Sequence, residues 1–386
     1  MNSDLSVLFL LVRYALAGED PPAGWQEAAD EECLSRVCAI ARAHSIDNLV
    51  AAALESLCPT APITKKMQKY RLLYVYQITG LEYDLSQLKA VFAGEKIDCM
   101  PLKGSVLRDW YPESWMRTGC DIDMLVREQD LTRAIAALRD GCGYRESDRG
   151  FHDVSLYSAS GGHVELHHSL IEEGELPRVA HILRSIWQYA VPDEKDPSCY
   201  LMNDEMFLFY HVAHMAKHVA RGGCGIRPFL DLWILSQRMD FDAASVTALL
   251  EQGGLDTFFA VCRRLLAVWM QGAPHDDMTS RLASYIVHGG RYGAQDSALA
   301  ARRGRGENKT RHFLRLMFLP RENLALIYPN LEKHPVLFPF YQVRRWFRVF
   351  HRDKRAKIER TVRTNRELDE KTIADVHDML LKLGLE

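Results

Sequence analysis

Asp121 and Asp123 stand two residues apart in Asp121-Ile122-Asp123-Met124-Leu125-Val126, where acidic and apolar side chains alternate. On extended backbone such residues share a face, so both carboxylates point one way while Ile122, Met124 and Val126 turn to a core. The run from His163 to His167 repeats the pattern: Val164 and Leu166 turn inward, and Glu165 and His167 share the other face. If the two strands are neighbours, three carboxylates converge. Two unit charges ~4 Å apart repel by about 4 kcal/mol at an effective dielectric near 20. Such a cluster calls for a cation, a shared proton or wide solvent exposure. Oxygen-only ligands suit a hard cation, Mg²⁺ or Mn²⁺, rather than zinc. Upstream, Gly104-Ser105 ends one apolar run and opens a helical one. Glycine allows close backbone approach, and free amides at a helix start hold phosphate. A phosphate cradle beside metal-binding carboxylates is the equipment of phosphoryl or nucleotidyl transfer.

Other residues compete for roles. Lys103 and Arg117 flank the acidic run, as neutralisers of a triphosphate or as salt-bridge partners of the carboxylates. His211, His214 and His218 fall on one helical stripe with Asp231 nearby in sequence, which opens a second reading as the metal centre of a helical phosphohydrolase. The adjacent His-Asp pair of that class is absent from the stripe, which also carries Phe207, Met215 and Val219 at core spacing. His167, His214 and Asp231 are therefore placed in or near a cleft, without an assigned step. The segment 343–366 is dense in Arg and Lys, with Trp346, Phe347 and Phe350 interleaved. It is a track for nucleic acid or, more simply, the solvated face of an amphipathic helix.

The elements that must position these groups fall into three stretches. Residues 1–94 are helical, with Pro21-Pro22 and the Pro59 to Pro62 stretch as punctuation and a long periodic run from Tyr70 to Phe92. Residues 95–200 hold an α/β core, read from Ile97 to Leu170 as strand, helix, strand, helix and a hairpin joined through Ser158 to Gly162. Residues 201–386 are helical again, interrupted by a loop from Arg302 to Arg315. The expected fold class is α+β: a short mixed sheet flanked by helical N- and C-terminal regions.

The chain has 386 residues, 47% hydrophobic and 26% charged, with 48 basic against 51 acidic side chains and a net charge of -3. These values exclude a disordered chain and a polytopic membrane protein, and no global field selects nucleic acid or anionic lipid. Nine cysteines without a CxxC pair suit free thiols rather than a disulfide framework or zinc ribbon. The apolar run Leu5 to Ala17 lacks a basic leader and contains Arg13. These features predict a cytoplasmic, reduced protein.

In order, Leu102-Lys103-Gly104-Ser105, Asp121-Ile122-Asp123 and Glu165 resemble the pattern of the polymerase-beta-like nucleotidyltransferase superfamily. With Tyr111-Pro112, Arg117 and Glu165-Leu166-His167 added, the stretch is similar to a bacterial family of uncharacterised nucleotidyltransferases. The interval from Gly104 to Asp121, which carries Tyr111 to Trp115, is longer than in compact superfamily members. The resemblance implies transfer of a nucleoside monophosphate from a nucleoside triphosphate, ATP by default, to a hydroxyl on a protein, RNA or small molecule. It implies Mg²⁺ or Mn²⁺ on Asp121, Asp123 and Glu165, with Lys103, Gly104, Ser105 and Arg117 on the nucleotide. The superfamily also has inactive members, so a nucleotide- or partner-binding module of the same fold is the alternative.

Overall fold

The structure, a computed structural model, describes residues 3–170, 176–194, 196–238, 240–304, 318–321, 330–349 and 367–385, with 314, 324, 328 and 363 between them. Five helices lead in: α1 (Ser3–Ala17), α2 (Trp25–Ala28), α3 (Glu31–Ala43), α4 (Asp47–Leu57) and α5 (Pro62–Glu95). Pro62 opens α5 at a position whose N–H would have no helical partner. The helix passes through Gly94 and ends at Lys96, which adopts a left-handed conformation (φ 53). Apolar α1 packs into the interior, with Leu8, Leu11 and Val12 fully buried and Phe9 stacked on Trp269 at 4.6 Å.

The sheet has seven strands: β1 (Cys99–Pro101), β2 (Ile122–Val126), β3 (Arg145–Arg149), β4 (Asp153–Tyr157), β5 (His163–His167), β6 (Ala190–Asp193) and β7 (Asp196–Met202). Their order is β3-β4-β5-β2-β1-β7-β6. The β2–β5 and β1–β7 pairs are parallel and the other pairs antiparallel. The four-residue α6 (Gly104–Leu107) and α7 (Leu131–Cys142) connect the early strands. This is the expected α+β architecture, with three more strands than the sequence pattern predicts. Edge strand β3, Arg-Glu-Ser-Asp-Arg, is exposed at every residue and so carries no apolar alternation to read.

After β5 come α8 (Pro177–Leu183), α9 (Asp204–Ala220), α10 (Arg227–Arg238), α11 (Ala243–Gly253), α12 (Asp256–Gln271), α13 (Asp277–Gly289) and α14 (Gln295–Gly304). Two further helices of note are Phe338–Val349 and Glu370–Lys382. Where the sequence pattern predicts a loop from Arg302, Arg302 to Gly304 instead finish α14, because Leu299, Ala300 and Ala301 are buried and Arg303 is bonded to Glu370. Residues 305–313 and 315 of that expected loop, and residues 350–362 and 364–366 of the basic segment, lie outside the described residues.

Two large cores result. Ile122, Met124, Val126, Val164 and Leu166 pack on one side of the sheet with Leu88 and Phe92 of α5 and Leu138 of α7. The other core joins α1, α3 and α4 to α9, α10, α12 and α13, and takes in Met100, Leu102 and Leu125 from the sheet. The helices before and after the sheet therefore share one interior.

His44, just after α3, ties these helical parts together. Its Nδ1 accepts the Ile226 N–H at 3.2 Å, which leaves Nε2 to carry the proton and donate to Val287 O at 3.2 Å. Burial holds its pKa down at about 4, against an ordinary 6.5. A base with a depressed folded pKa stabilises above pH 6.5 and loses that stability as pH falls through about 4. At ~1.4 kcal/mol per pH unit the full loss is about 3 kcal/mol. Urea unfolding should show it between pH 7 and pH 4, with a flatter profile in His44→Gln. Equal slopes in the two proteins would remove His44 as the cause.

Candidate active site

Strands β2 and β5 run parallel and in register, with Asp123 opposite Glu165 and Leu125 opposite His167. Paired positions in register share a face, so the sheet itself brings the acidic groups together. The Asp123 carboxylate is buried, and its Oδ1 meets both Lys103 Nζ at 2.8 Å and His167 Nε2 at 2.9 Å. Glu165 Oε2 lies 3.8 Å from the same imidazole nitrogen. Among the described residues, two groups of donors lie within 4.8 Å of one another: Asp121, His163 and Glu165, and Asp123, Glu165 and His167.

Charge is unevenly settled here. Burial opposes ionisation of Asp123, but Lys103 and His167 outweigh it and hold the carboxyl well below its usual range. Burial likewise opposes charge on Lys103, and Asp123 more than reverses it. Glu165 goes the other way: burial, then Asp123, push it up to about 7. The buried pair thus carries its own cation, whereas Asp121, His163 and Glu165 have none among them.

His163 had no assigned role in the sequence, although it obeys the same period of two that placed Glu165 and His167. Tyr157 stacks on its ring at 4.3 Å, fixing its plane, and its Nε2 is buried without a hydrogen-bond partner among the described residues. An orphaned imidazole nitrogen beside two carboxylates fits a divalent cation. An imidazole among the donors would depart from the oxygen-only set expected for Mg²⁺ or Mn²⁺, toward metals that accept nitrogen as well as oxygen.

Gly104 and Ser105 have a tighter setting than a phosphate cradle. Ser105 N–H donates to Leu102 O at 3.0 Å and Val106 N–H to Lys103 O at 3.1 Å, so the turn consumes these amides itself. Ser105 Oγ is buried with no hydrogen-bond partner among the described residues. Glycine is required at 104 because a Cβ there would lie 2.3 Å from Arg117 Nη1. The turn presents Lys103, whose backbone is left-handed (φ 43) and whose ammonium reaches the acidic face.

Arg117 is buried and turned to Asp231. Its Nη2 donates to Asp231 Oδ2 at 3.0 Å and its Nε to Oδ1 at 3.3 Å, and Tyr111 Oη donates to Oδ1 at 2.8 Å. Burial raises the Asp231 pKa, but Arg117 more than offsets this and keeps it below the usual range. The long interval after Gly104 therefore folds back onto α10 through Tyr111 and onto α4, where Asn48 Nδ2 donates to Trp115 O at 2.9 Å. Arg108 and Arg227 are packed nearby, and burial, then Arg117, lowers each to about 10. This cationic layer lies behind the glycine turn.

The histidine stripe separates on folding. His211 Nε2 hydrogen-bonds Pro228 O at 2.8 Å, and His214 and His218 meet at 3.1 Å between Nε2 atoms. Neither metal-competent group among the described residues contains a stripe histidine or Asp231. His214 instead lines a cleft with Lys103, His167, Tyr210, Lys217 and Leu183. Burial and neighbouring Lys103 keep His214 well below its ordinary pKa, hence neutral. The cleft's volume is about 70 Å³, well below the ~300–1,000 Å³ usual for small-molecule sites.

A mixed sheet carrying paired carboxylates on adjacent parallel strands, within an α+β chain, is a nucleotidyltransferase-like arrangement. The family model described as uncharacterised nucleotidyltransferase matches residues 30–271, and the chain belongs to that family. The solution structure of antibiotic-resistance factor ANT(2'')-Ia is similar at 11% identity, with a TM-score of 0.34 over 51% of this chain and 100% of that one. No curated protein sequence matches the chain. No helix among the described residues is long and apolar enough to cross a membrane, and all nine cysteines are free.

Proposed function

We propose that the protein moves a nucleoside monophosphate from a nucleoside triphosphate to a hydroxyl acceptor, using a divalent cation held by Asp121, Glu165 and His163, with Asp123 completing the site. The observation that carries this reading is the in-register Asp123–Glu165 pair, with Asp121 and His163 in reach of one carboxylate and Lys103 on the other. The cation, when bound, neutralises phosphate oxygens and offsets charge in the transition state. The acceptor oxygen bonds to the α-phosphorus, the bond to the pyrophosphate oxygen breaks, and the hydroxyl proton passes to Glu165 or to water. Lys103 supplies positive charge to the triphosphate. Arg117 acts through Gly104, holding the turn that aims Lys103. Catalysis comes mainly from positioning and charge neutralisation.

The donor base, ATP by default, and the acceptor class follow from assay. Thermal unfolding with each nucleoside triphosphate, with and without Mg²⁺ or Mn²⁺, tests the first half. A ligand at ~100 times its dissociation constant adds about 2.7 kcal/mol to stability, readable as several degrees. A metal-dependent rise with one triphosphate supports the site and names the donor, and α-labelled nucleotide then finds the acceptor. No rise with any triphosphate sinks the proposal. Binding with no transfer to water, small molecules, RNA or protein would leave a nucleotide-binding module instead.

A further inference from the structure

Helix α5 has one face on the sheet and α4 and the opposite face in solvent. An exposed helix face is normally rich in charge. Here every exposed position between residues 72 and 94 is uncharged, and the three charged residues in that span, Glu82, Asp84 and Lys89, lie at half-buried positions off this face. Leu73, Tyr76, Gly80, Tyr83, Gln87 and Ala90 follow one another at alternating intervals of three and four, the 3.5-residue spacing of a helix–helix seam, and all six are exposed. Tyr76 is 82% exposed and Leu73 62%. Gly80, a poor helix former, has no atom of the described residues within 4 Å of where its Cβ would stand. Nothing among the described residues requires glycine at that point.

We propose that this face pairs α5 with α5 of a second copy of the chain, antiparallel, about a two-fold axis near residues 81 and 82. In that register each seam layer sets a large side chain against a smaller one: Leu73 on Ala90, Tyr76 on Gln87, and Tyr83 on Gly80. The ends are less alike in charge than in a parallel pair. Lys65, Lys66 and Lys69 are exposed at the N-terminal end, and in this register they face the C-terminal end of the other copy, where exposed Glu95 supplies one carboxylate beside exposed Lys96. A parallel pair would stack Tyr76 on Tyr76, leave a void at Gly80 and set Lys69 against Lys69. The antiparallel contact is self-complementary and closed, so it stops at a dimer. It is narrower than the ~20–30 residues a side of a standard stable interface, so the dimer should dissociate on dilution. This surface is separate from the acidic site and independent of the transferase reading.

Sedimentation equilibrium of the full chain over a range of concentrations reads the assembly directly. The expected result is a monomer–dimer equilibrium that Tyr76→Glu abolishes while leaving the unfolding temperature near wild type, since the residue is exposed. Cross-linking reads the geometry. With exposed Cys120 replaced by serine, Leu73→Cys and Ala90→Cys chains should form a disulfide dimer when mixed. Neither should do so alone, because positions 73 and 90 lie roughly 26 Å apart along one helix at ~1.5 Å per residue. A wild type that stays monomeric at all concentrations overturns the proposal, as does a dimer unaffected by Tyr76→Glu. Self-linking of Leu73→Cys without its counterpart overturns the antiparallel register.

Discussion

Asp121→Ala and Asp123→Ala should both abolish metal-dependent stabilisation by nucleoside triphosphate, yet differ sharply in their cost to folding. Asp121 is half-buried and its carboxylate forms no salt bridge among the described residues, with Arg108 and Arg117 acting on it only through their wider field, so its loss removes a ligand at little cost to folding. Asp123 is the counter-charge of Lys103 and a partner of His167. Its removal leaves an ammonium facing a buried imidazole. Breaking one side of a buried pair costs ~3–5 kcal/mol, and the low end, about 3 kcal/mol, applies because the Lys103 side chain keeps 22% exposure. Lys103→Met in the Asp123→Ala background should return much of that stability and none of the nucleotide response. Urea unfolding gives the first quantity and the thermal shift with triphosphate and Mn²⁺ the second. If Asp121→Ala responds to nucleotide as the wild type does, the metal assignment is wrong, whatever the stability data show.

The second large effect is expected away from the acidic face. Arg117 and Asp231 keep 9% and 1% of their side-chain exposure, and Tyr111 donates a third hydrogen bond to the pair. Arg117→Met or Asp231→Leu alone should cost about 3–5 kcal/mol, because each leaves an uncompensated charge in the interior. The double substitution removes both charges and should recover most of the loss. Tyr111→Phe alone should cost only about 1 kcal/mol, a single hydrogen bond. Nucleotide binding separates structure from positioning. Once Arg117 no longer packs against Gly104, the double variant should fold stably yet bind triphosphate more weakly, because the turn that aims Lys103 has lost its backing. Full binding in the stable double variant would make the pair purely structural.

Asp121, Asp123 and Glu165 were legible because a strand's period of two ties sequence spacing to a shared face, and Val164 and Leu166 marked which face was buried. The same rule contained His163, which went unassigned although it stands two before Glu165. Helices α9 to α13 were legible from their 3.6-residue pattern, and the β4–β5 hairpin from its glycine-bearing turn. Strand β3 was not, since an all-exposed edge has no apolar signal to display.

Partner choice at long range was beyond the sequence. Nothing local shows that Arg117 would take Asp231, more than a hundred positions away, over a phosphate, or that the amides after Gly104 would close on their own turn. Nor does helical spacing show that His211 bonds a backbone carbonyl while His214 and His218 face each other. Local periodicity decides which side of an element a residue occupies. Which charges meet depends on how separate elements pack, and in a buried setting that choice carries several kilocalories. So the chemical inventory of this protein was written in its sequence, and the tertiary structure alone decided which members of it stand together.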